Sequence, residues 1–595
     1  MKDIKKIRPF TRFCMTIGNL PTSYTLSMTY EEQLLWLCNF IKETVIPAVN
    51  TNSEAITELQ ALFKELQEYV DSYFENLDVQ EEIDNKLDEM VLDGTLAEIL
   101  ANYLNLSRFI DTTTSLINET DENVVKAGYI VETFGYSEID DGGATKVLIV
   151  DEEPQNTFYF TLQNNLYGIP VANKENVLIY GIKGDGTTDN TTLLNSIKDY
   201  TDKLYFPTGT YLINKLELSN KTNYKLYGDG FTSIIKCNNP NTASSFTFID
   251  LTTGTFNVHD LFIDGNYIGR NTPLSLIDTN DSIIKNCKVK GGSSQRTINI
   301  QAYNEDYGYN NTIENNVVLK DSEYCSDGAL IECTGELSAE ASPFLHNLRI
   351  LNNKCICTST SYNGNSDLFD CIETDNCYDT IISSNYCENS MHNGISLDTR
   401  NINTICTNNI CISTSELTGV SRNGIEITGS HGAELMNGIV ANNIIRNFGS
   451  NGIACNARNY TITNNRIDTS NRGIILLELC TEGNIVSENI CTNITEYGIY
   501  FASTVSGSRI LNNNASLFIG AGTGNQNFVQ TSQFGASINI ADGLGRIAYL
   551  NGIFHSDNYN GINTVGFALD LLTDGRLIFR NPTSGTWQSI TKTNI

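Results

Sequence analysis

The first region of the chain, residues 1–110, carries a helical pattern of apolar positions. From Ile56 to Leu77 the apolar residues are separated alternately by three and four positions, with charged residues between them. This heptad spacing places one narrow apolar stripe along a helix, and so narrow a stripe needs a partner helix. The pattern predicts an α-helical region that forms a parallel self-associating coiled coil. Packing of the helix within its own domain is the alternative.

From 176 to 515 the pattern changes to short apolar strands that recur with an asparagine at a fixed place. Successive repeats are 22 to 37 residues apart, and an apolar residue or cysteine stands two positions after each later asparagine. A repeat of this length is typical of a solenoid of stacked coils. The repeated asparagines are Asn286, Asn316, Asn353, Asn385, Asn409, Asn443, Asn465, Asn489 and Asn513.

This repeat predicts a mostly β fold, a parallel β-helix whose narrow interior is filled by the apolar column. The asparagines are expected at a tight corner, because asparagine tolerates the left-handed backbone conformation and its amide can bond from coil to coil. A β-sandwich with asparagine-rich turns is the alternative, but it does not need one apolar column at a fixed distance from one asparagine. A second repeat supports the stack: Gly394-Ile395, Gly424-Ile425, Gly452-Ile453, Gly473-Ile474 and Gly498-Ile499.

Two further regions flank the repeat. Residues 111–175 contain glycines between β-forming residues and are predicted to form a small β connector. Residues 516–595 lose the repeat and are predicted to form an all-β C-terminal domain, with a hairpin at Asp574-Gly575. That domain would cap the open end of the coils, join chains together or bind sugar.

Charge and composition exclude several function classes. Asp and Glu number 69 against 38 Lys and Arg, a net charge of −31, which disfavours nucleic acid and anionic lipid as partners. No apolar stretch reaches the ~20 residues of a membrane span. The basic start, Met1 to Pro9, is not followed by a continuous apolar core, so a secretory signal is not expected. The 16 cysteines lack zinc-ribbon spacing, and several alternate with apolar residues, which predicts buried free thiols and assembly in a reducing cytoplasm.

Three ordered motifs at the start of the repeat resemble a known family. Tyr180 to Asp189 reads YGIKGDGTTD, Tyr205 to Tyr211 reads YFPTGTY, and Leu226 to Gly230 reads LYGDG. Together they resemble the opening of pectate-lyase-like right-handed β-helix proteins, and this resemblance implies the right-handed form of the coil.

The whole layout resembles a bacteriophage tail spike or appendage. The segments Arg8 to Phe13 and Met28 to Leu34 are similar to the start of structural proteins from phages of Gram-positive hosts. The resemblance implies a homotrimer, attached to phage tail or neck/portal proteins through residues 1–110, that is assembled in the host cytoplasm and recognises a glycopolymer at the host cell surface. It transfers no catalytic residues, because such proteins share a scaffold and place their carboxylates differently.

The outer wall of the coils is where the sequence places candidate chemistry. If Ile331, Ile372, Ile395, Ile425 and Ile453 point inward, their neighbours form outward columns about 4.8 Å apart between coils. One column is Glu332, Glu373, Ser396, Glu426 and Ala454, and the other is Thr334, Asp375, Asp398, Thr428 and Asn456.

Clustered carboxylates repel, so at least one should have a raised pKa, as a general acid requires. The predicted catalytic residues are Glu373, Asp375, Asp398 and Glu426, acting in glycan hydrolysis. If the register were shifted by one residue, Asp327, Asp370 and Glu478 would be the candidates instead. The predicted substrate-binding residues, most of them in or beside long coils that would form groove walls, are Glu332, Tyr362, Tyr378, His392, Arg400, Arg422 and His431.

Several alternatives remain open at this stage. The acidic columns are also what an acidic protein presents to solvent, and the same oxygens can hold Ca²⁺, although no metal or cofactor is assigned. A polysaccharide lyase would need a cation beside a uronate, for which Arg400 and Arg422 are available. Hydrolysis of capsule, wall polysaccharide or teichoic acid is favoured. A non-catalytic receptor-binding adhesin is the main alternative, and a free secreted enzyme is disfavoured by the N-terminal helices.

Overall fold

The computed structural model describes residues 108–595, apart from 240–244, 267–269, 292–295, 321–327, 336–343, 358–368, 414–422, 430–436, 482, 503, 516–517, 522–525, 529–537, 542–568, 572–576, 581–586 and 591–595. The predicted coiled coil lies outside this part of the chain, and the last residues of the predicted helical region, Arg108–Ile110, form a strand. Within the described residues, none of the helices has the length and apolar character that crossing a membrane requires.

A five-stranded sheet follows, as the glycine-spaced β pattern of the connector predicts. Its strands alternate buried and more exposed residues, and Val131, Val147 and Ile149 are completely buried in its core. The helix Thr113–Asn118 packs beside it. Its N-cap is Thr112, whose side chain accepts a hydrogen bond from the Ser115 backbone N–H. The strands of this sheet are Arg108–Ile110, Ile130–Thr133, Thr145–Val150, Phe160–Thr161 and Tyr167–Pro170.

The main body is a 34-stranded parallel sheet wound into coils, so the chain folds as a mostly β protein with a right-handed parallel β-helix. Each coil contributes to three stacks of strands, here called faces A, B and C. Face A contains Arg270–Thr279, Ile298–Ala302, Gly328–Gly335, Phe369–Asp375, Asn393–Asp398, Asn423–Thr428, Phe518–Ala521 and Ile538–Ala541.

Faces B and C complete each coil. Face B contains Lys203–Phe206, Ile283–Lys285, Thr312–Glu314, Arg349–Leu351, Ile381–Ser383, Thr404–Thr407, Gly438–Ala441, Tyr460–Thr463, Ile485–Ser487, Arg509–Leu511 and Gln526–Phe528. Face C contains Asp185–Asp189, Gly209–Ile213, Ser233–Cys237, Phe262–Asp264, Lys288–Lys290, Val317–Lys320, Lys354–Cys357, Tyr386–Glu388, Ile410–Ile412 and Asn514–Ala515.

Five longer strands turn a corner and run along two faces. They are Leu216–Gly228, Ser245–His259, Ile444–Asn456, Arg466–Leu476 and Ile490–Phe501. The 3-10 helix Val177–Tyr180 and the α-helix Thr191–Ile197 precede and interrupt the first coil, and a short parallel pair, Leu345–His346 with Cys377–Tyr378, lies beside the stack.

The C-terminal part departs from the predicted boundary at 515. Parallel pairing continues to Ile538–Ala541, so the coils extend past that residue. Further on, Leu569–Leu571, Leu577–Arg580 and Trp587–Ile590 form an antiparallel sheet. Its first two strands pair across Asp574-Gly575, which confirms the predicted hairpin.

The repeated asparagines form a continuous ladder inside one corner of the coil. From Asn316 to Asn489, the backbone N–H and the side-chain Nδ2 of each asparagine both donate to Oδ1 of the next asparagine, at 2.9–3.1 Å. These side chains are buried, so the amides satisfy one another where water cannot. The predicted coil-to-coil bonding is confirmed.

The left-handed conformation, by contrast, lies one residue earlier than predicted. Asn315, Asn352 and Asn408 have φ of 57°, 55° and 59°, whereas the ladder asparagines that follow them are not among the residues with positive φ. Asn286 belongs to this earlier position, with φ of 53°, and Cys287 takes the first ladder position by donating its N–H to Asn316 Oδ1. The corner thus needs two residues, one to turn the chain and one to bond the next coil.

Small residues close the interior where two faces meet. A Cβ on Gly394 would lie 2.6 Å from the Gly424 carbonyl oxygen and 2.9 Å from the Cys411 side chain, so the glycine repeat reflects a lack of space. Thirteen cysteines are described, and all are buried free thiols, as predicted. The column Val318, Cys355, Cys387, Cys411, Ile445, Ile467, Cys491 and Ala515 is buried throughout.

Candidate functional site

The predicted register of face A is confirmed by the strand pairing. Ile331, Ile372, Ile395, Ile425 and Ile453 align from coil to coil and are completely buried. Both outward columns follow. Glu332 pairs with Glu373, Glu373 with Ser396, Ser396 with Glu426, and Asp375 with Asp398.

Three carboxylates meet in the centre of this face. Oxygen atoms of Glu373, Asp375 and Asp398 all lie within 4.8 Å of one another. Asp375 is only 7% exposed, whereas Glu373 and Asp398 are half-buried. The amide of Thr399 donates to Asp398 Oδ1 at 2.7 Å and orients that carboxylate. We call these three residues the acidic cluster.

Burial and mutual repulsion shift the proton affinities in this cluster. Burial, together with the charges of Asp370 and Glu332, raises the pKa of Glu373 to about 10. Burial and the neighbouring Asp398 raise the pKa of Asp375 to about 7. A carboxyl group that keeps its proton at neutral pH can donate it, which is the property that a general acid needs.

Glu332 lies next to the cluster, on the preceding coil, and is held by an arginine. The Arg296 guanidinium lies 2.5 Å from Glu332 Oε1 and also donates to Asn299 Oδ1 and Gln301 Oε1, at 3.1 Å each. Burial raises the pKa of Glu332, although Arg296 opposes this shift. Glu332 therefore has a structural partner, and sequence reasoning did not identify Arg296, which stands before its strand rather than in a column.

A second group of polar residues lies on the other side of Ser396. Asp370 is 5% exposed, and its Oδ1 lies 2.6 Å from the Asn393 amide nitrogen and 3.1 Å from His392 Nδ1. Asn393 Nδ2 donates to Glu426 Oε2 at 2.6 Å. Burial raises the pKa of both Asp370 and Glu426. Asp370 was a candidate only for a shifted register. It nevertheless lies beside the site, although the predicted register is correct.

Only some of the remaining predicted binding residues lie in the part of the chain that the structure describes. Arg400 Nε donates to Asn376 Oδ1 at 3.1 Å, and its guanidinium lies 5.4 Å from the Phe344 ring centroid. Tyr378 packs against His346, with ring centroids 5.6 Å apart. Glu478 is exposed and further along the shaft. Tyr362, Arg422, His431 and Asp327 lie outside the described residues.

The cluster offers two kinds of chemistry. A protonated carboxyl beside an ionised one can transfer protons during hydrolysis of a glycosidic bond. Three convergent oxygens are also ligands that Ca²⁺ accepts. The raised pKa values of Glu373 and Asp375 describe the cluster without an ion, because a bound cation would favour their ionised forms.

The acidic cluster should make stability fall as the pH rises. Glu373 and Asp375 hold their protons in the folded chain and release them at lower pH when unfolded, so ionisation favours the unfolded state between about pH 4 and the raised values. We expect the free energy of unfolding to drop by roughly 2 kcal/mol or more between about pH 5 and pH 9. Glu373→Gln with Asp375→Asn should flatten this dependence in denaturation curves. Glu478→Gln, at an exposed site, should leave it unchanged.

Comparison with known proteins gives one family match, over a short segment. Residues 175–255 match a family model described as rhamnogalacturonase A/epimerase, pectate lyase-like. No curated protein sequence matches the chain. The matched residues include the three motifs and the first coils, and lie before the acidic cluster.

Solved structures with a similar fold include three different kinds of protein. The mannuronan C-5 epimerase AlgE4 A-module of Azotobacter vinelandii is 15% identical, with a TM-score of 0.42 over 61% of this chain and 99% of that one. The tailspike gp49 of Acinetobacter baumannii bacteriophage Fri1, a capsular polysaccharide depolymerase, is 11% identical, with a TM-score of 0.42 over 67% and 76%. PfbA, a surface adhesin of Streptococcus pneumoniae, is 15% identical, with a TM-score of 0.38 over 70% and 98%. One scaffold serves several functions, so these likenesses assign none of them; the chain is a right-handed parallel β-helix protein with a pectate-lyase-like opening segment.

Proposed function

We propose that this protein is a phage tail spike that binds a host cell-surface glycopolymer and hydrolyses it on face A. The observation that carries the proposal is the convergence of Glu373, Asp375 and Asp398, which come from two coils, with oxygens within 4.8 Å of one another. Burial raises the pKa of Glu373 to about 10 and that of Asp375 to about 7, so the carboxyl groups are poised to hold protons at neutral pH.

The geometry suits a pair of carboxylates with different roles. Glu373 is the proton donor to the leaving oxygen, and Asp398, in the neighbouring coil, is the second carboxylate of the pair. A separation of about 5 Å is that of retaining glycosidases, in which the second carboxylate attacks the sugar, whereas inverting enzymes need roughly 6.5–9.5 Å. Asp375 aligns with Asp398 in the second outward column, and Glu426 borders the site on the next coil.

Hydrolysis fits the surroundings better than a lyase reaction does. A lyase must neutralise the carboxylate of a uronate, but Arg296 is bonded to Glu332, and Arg400 to Asn376. Six carboxylates among the described residues lie on consecutive strands of face A: Glu332, Asp370, Glu373, Asp375, Asp398 and Glu426. Such a surface favours neutral sugars over uronates or phosphodiesters, and capsule or wall polysaccharide over teichoic acid.

The test is cleavage of isolated polymers by the full-length protein. Host capsule, wall polysaccharide and teichoic acid are incubated separately, and new ends and chain lengths are measured. The quadruple variant Glu373→Gln, Asp375→Asn, Asp398→Asn and Glu426→Gln should lose cleavage and keep binding. Cleavage that survives these four changes contradicts the site. Binding without cleavage by the unaltered protein favours an adhesin. Loss of cleavage on chelation, restored by Ca²⁺, assigns the cluster to a metal.

The heptad pattern of residues 1–110 supports self-association, and the resemblance to tail spikes supports a homotrimer. We propose that the homotrimer is attached to the virion through residues 1–110. Light scattering or native mass spectrometry of the full-length chain should give three times its 65.8 kDa mass. A monomer at micromolar concentration would contradict the coiled coil. It would not bear on the proposal for the acidic cluster.

A further inference from the structure

A second amide ladder runs along the corner where the strands of face A begin. Asn451 Nδ2 donates to Asn423 Oδ1 at 2.7 Å, and Asn423 Nδ2 donates to Asn393 Oδ1 at 3.1 Å. Asn393 and Asn423 are in register, as are Asn423 and Asn451. In the preceding coil, the equivalent position, two residues before the buried isoleucine, is Asp370. A carboxylate therefore ends a row of amides.

This carboxylate holds a partly exposed histidine. Asp370 Oδ1 lies 3.1 Å from His392 Nδ1, and the His392 side chain keeps 27% of its surface exposed against 7% for Asp370. Among the residues that the structure describes, no hydrogen-bond partner meets His392 Nε2. A buried carboxylate at one ring nitrogen fixes the orientation of the imidazole and leaves the other nitrogen available.

The same carboxylate also orders Glu426. Asp370 accepts the backbone N–H of Asn393 at 2.6 Å, and the Nδ2 of that asparagine donates to Glu426 Oε2 at 2.6 Å. Asn393 Nδ2 also lies 2.9 Å from His392 Nδ1, but this contact is not a hydrogen bond when Nδ1 carries a proton. Asp370 thus links His392 and, through Asn393, Glu426, and Ser396 stands between Glu426 and Glu373 in the outward column.

We infer that Asp370 is a positioning residue of the proposed glycan site, and that it holds protonated His392 so that Nε2 donates a hydrogen bond to a sugar oxygen. The inference rests on the proposed function for the identity of the ligand, whereas the Asp370–His392 pairing stands on its own geometry. Glu426 and the acidic cluster lie on the neighbouring coils of the same face, where cleavage is proposed.

The charges around His392 support its protonated form. The groups that act on it are Asp370 on strand Phe369–Asp375, Asp398 on its own coil and Glu426 on the next coil, all carboxylates. Burial lowers its pKa, but the hydrogen bond and charge of Asp370, with Glu426 and Asp398, raise it more, so the pKa of His392 is higher than usual. Asp370 itself also faces Glu332 and Glu373.

The decisive variant is Asp370→Asn, which places an amide where the other coils already have one. Its Oδ1 can still accept the Asn393 N–H, so the corner should fold, while the charge beside His392 is lost. NMR titration of histidine ring resonances in the full-length protein should show the pKa of His392 falling by about 1 to 2. The pH at which affinity for wall oligosaccharide is lost should fall by the same amount.

The matched control is Asp260→Asn. Asp260 Oδ2 lies 2.8 Å from His259 Nδ1, in a second histidine–aspartate pair, and His259 is on face B rather than on face A with the acidic cluster. This control should leave both the His392 titration and the pH dependence of binding unchanged. His392→Gln, which retains Asp370 and Asn393, should remove the component of the pH dependence that Asp370→Asn shifts.

An identical His392 titration in the unaltered protein and in Asp370→Asn would overturn the inference. A pH dependence of binding that is the same in His392→Gln and in the unaltered protein would overturn it as well. A protein that binds but never cleaves, and still shows the His392 shift, would refute the proposed hydrolysis while supporting the pairing. The two failures are therefore distinguishable.

Discussion

Replacing Glu373 by glutamine is expected to lower the rate of glycan cleavage by about 10²- to 10⁴-fold, the usual contribution of a general acid. Because burial and the neighbouring carboxylates raise the pKa of Glu373 to about 10, the native side chain is neutral at the pH of the assay. Glutamine has the same shape and charge as that neutral form. The fold and the affinity for glycan should therefore be retained, and only the transferable proton is lost.

The matched control for this variant is Glu478→Gln, which makes the same chemical change at an exposed carboxylate further along the shaft. It should cleave at the unaltered rate. Asp398→Asn should be as slow as Glu373→Gln, because both carboxylates are required. Rates are measured as new ends released under saturating polymer, with binding followed separately. A Glu373→Gln protein that cleaves at more than about a tenth of the normal rate would assign the proton donor elsewhere.

Asn409→Leu is expected to destabilise the β-helix by roughly 3 kcal/mol or more. Asn409 is completely buried, and it accepts two bonds from Asn385 while donating to Asn443 Oδ1 and the Ile382 carbonyl. The leucine side chain fills a similar volume but can neither accept from Asn385 nor donate to the Ile382 carbonyl, and only the backbone N–H of residue 409 still reaches Asn443 Oδ1. Buried donors and acceptors on both neighbouring coils then lose a hydrogen-bond partner, and this loss accounts for most of the decrease in the free energy of unfolding.

Asn408→Gly tests the other half of the same corner. Asn408 is exposed and has φ of 59°, a conformation that glycine adopts without strain, so the change should alter stability by only a few tenths of a kcal/mol. Thermal and denaturant unfolding of the two variants, compared at the same pH, give the difference. Equal effects at 408 and 409 would mean that the turn, rather than the ladder, stabilises the stack.

Much of this fold follows directly from the sequence. In a solenoid each coil repeats its neighbour, so a pattern along the chain becomes a contact between coils. The spacing of the asparagines predicted both the ladder and the buried column from Val318 to Ala515. Placing one isoleucine of each strand inward set the register of face A, and with it the meeting of Glu373, Asp375 and Asp398. The position of the left-handed residue was predicted one residue too late. Of two adjacent asparagines, the first turns the chain and the second bonds the next coil.

What the sequence determined is therefore which residues stack, because stacking in a β-helix is periodic. The tertiary structure decided how deeply each carboxylate is buried, which sets its proton affinity, and which residues near the ends of the strands pair with it. Arg296 reaches Glu332, and Asp370 reaches His392 as well as the Asn393 backbone. Arg296 and His392 stand before their strands, outside the repeated positions, so their contacts required the folded chain.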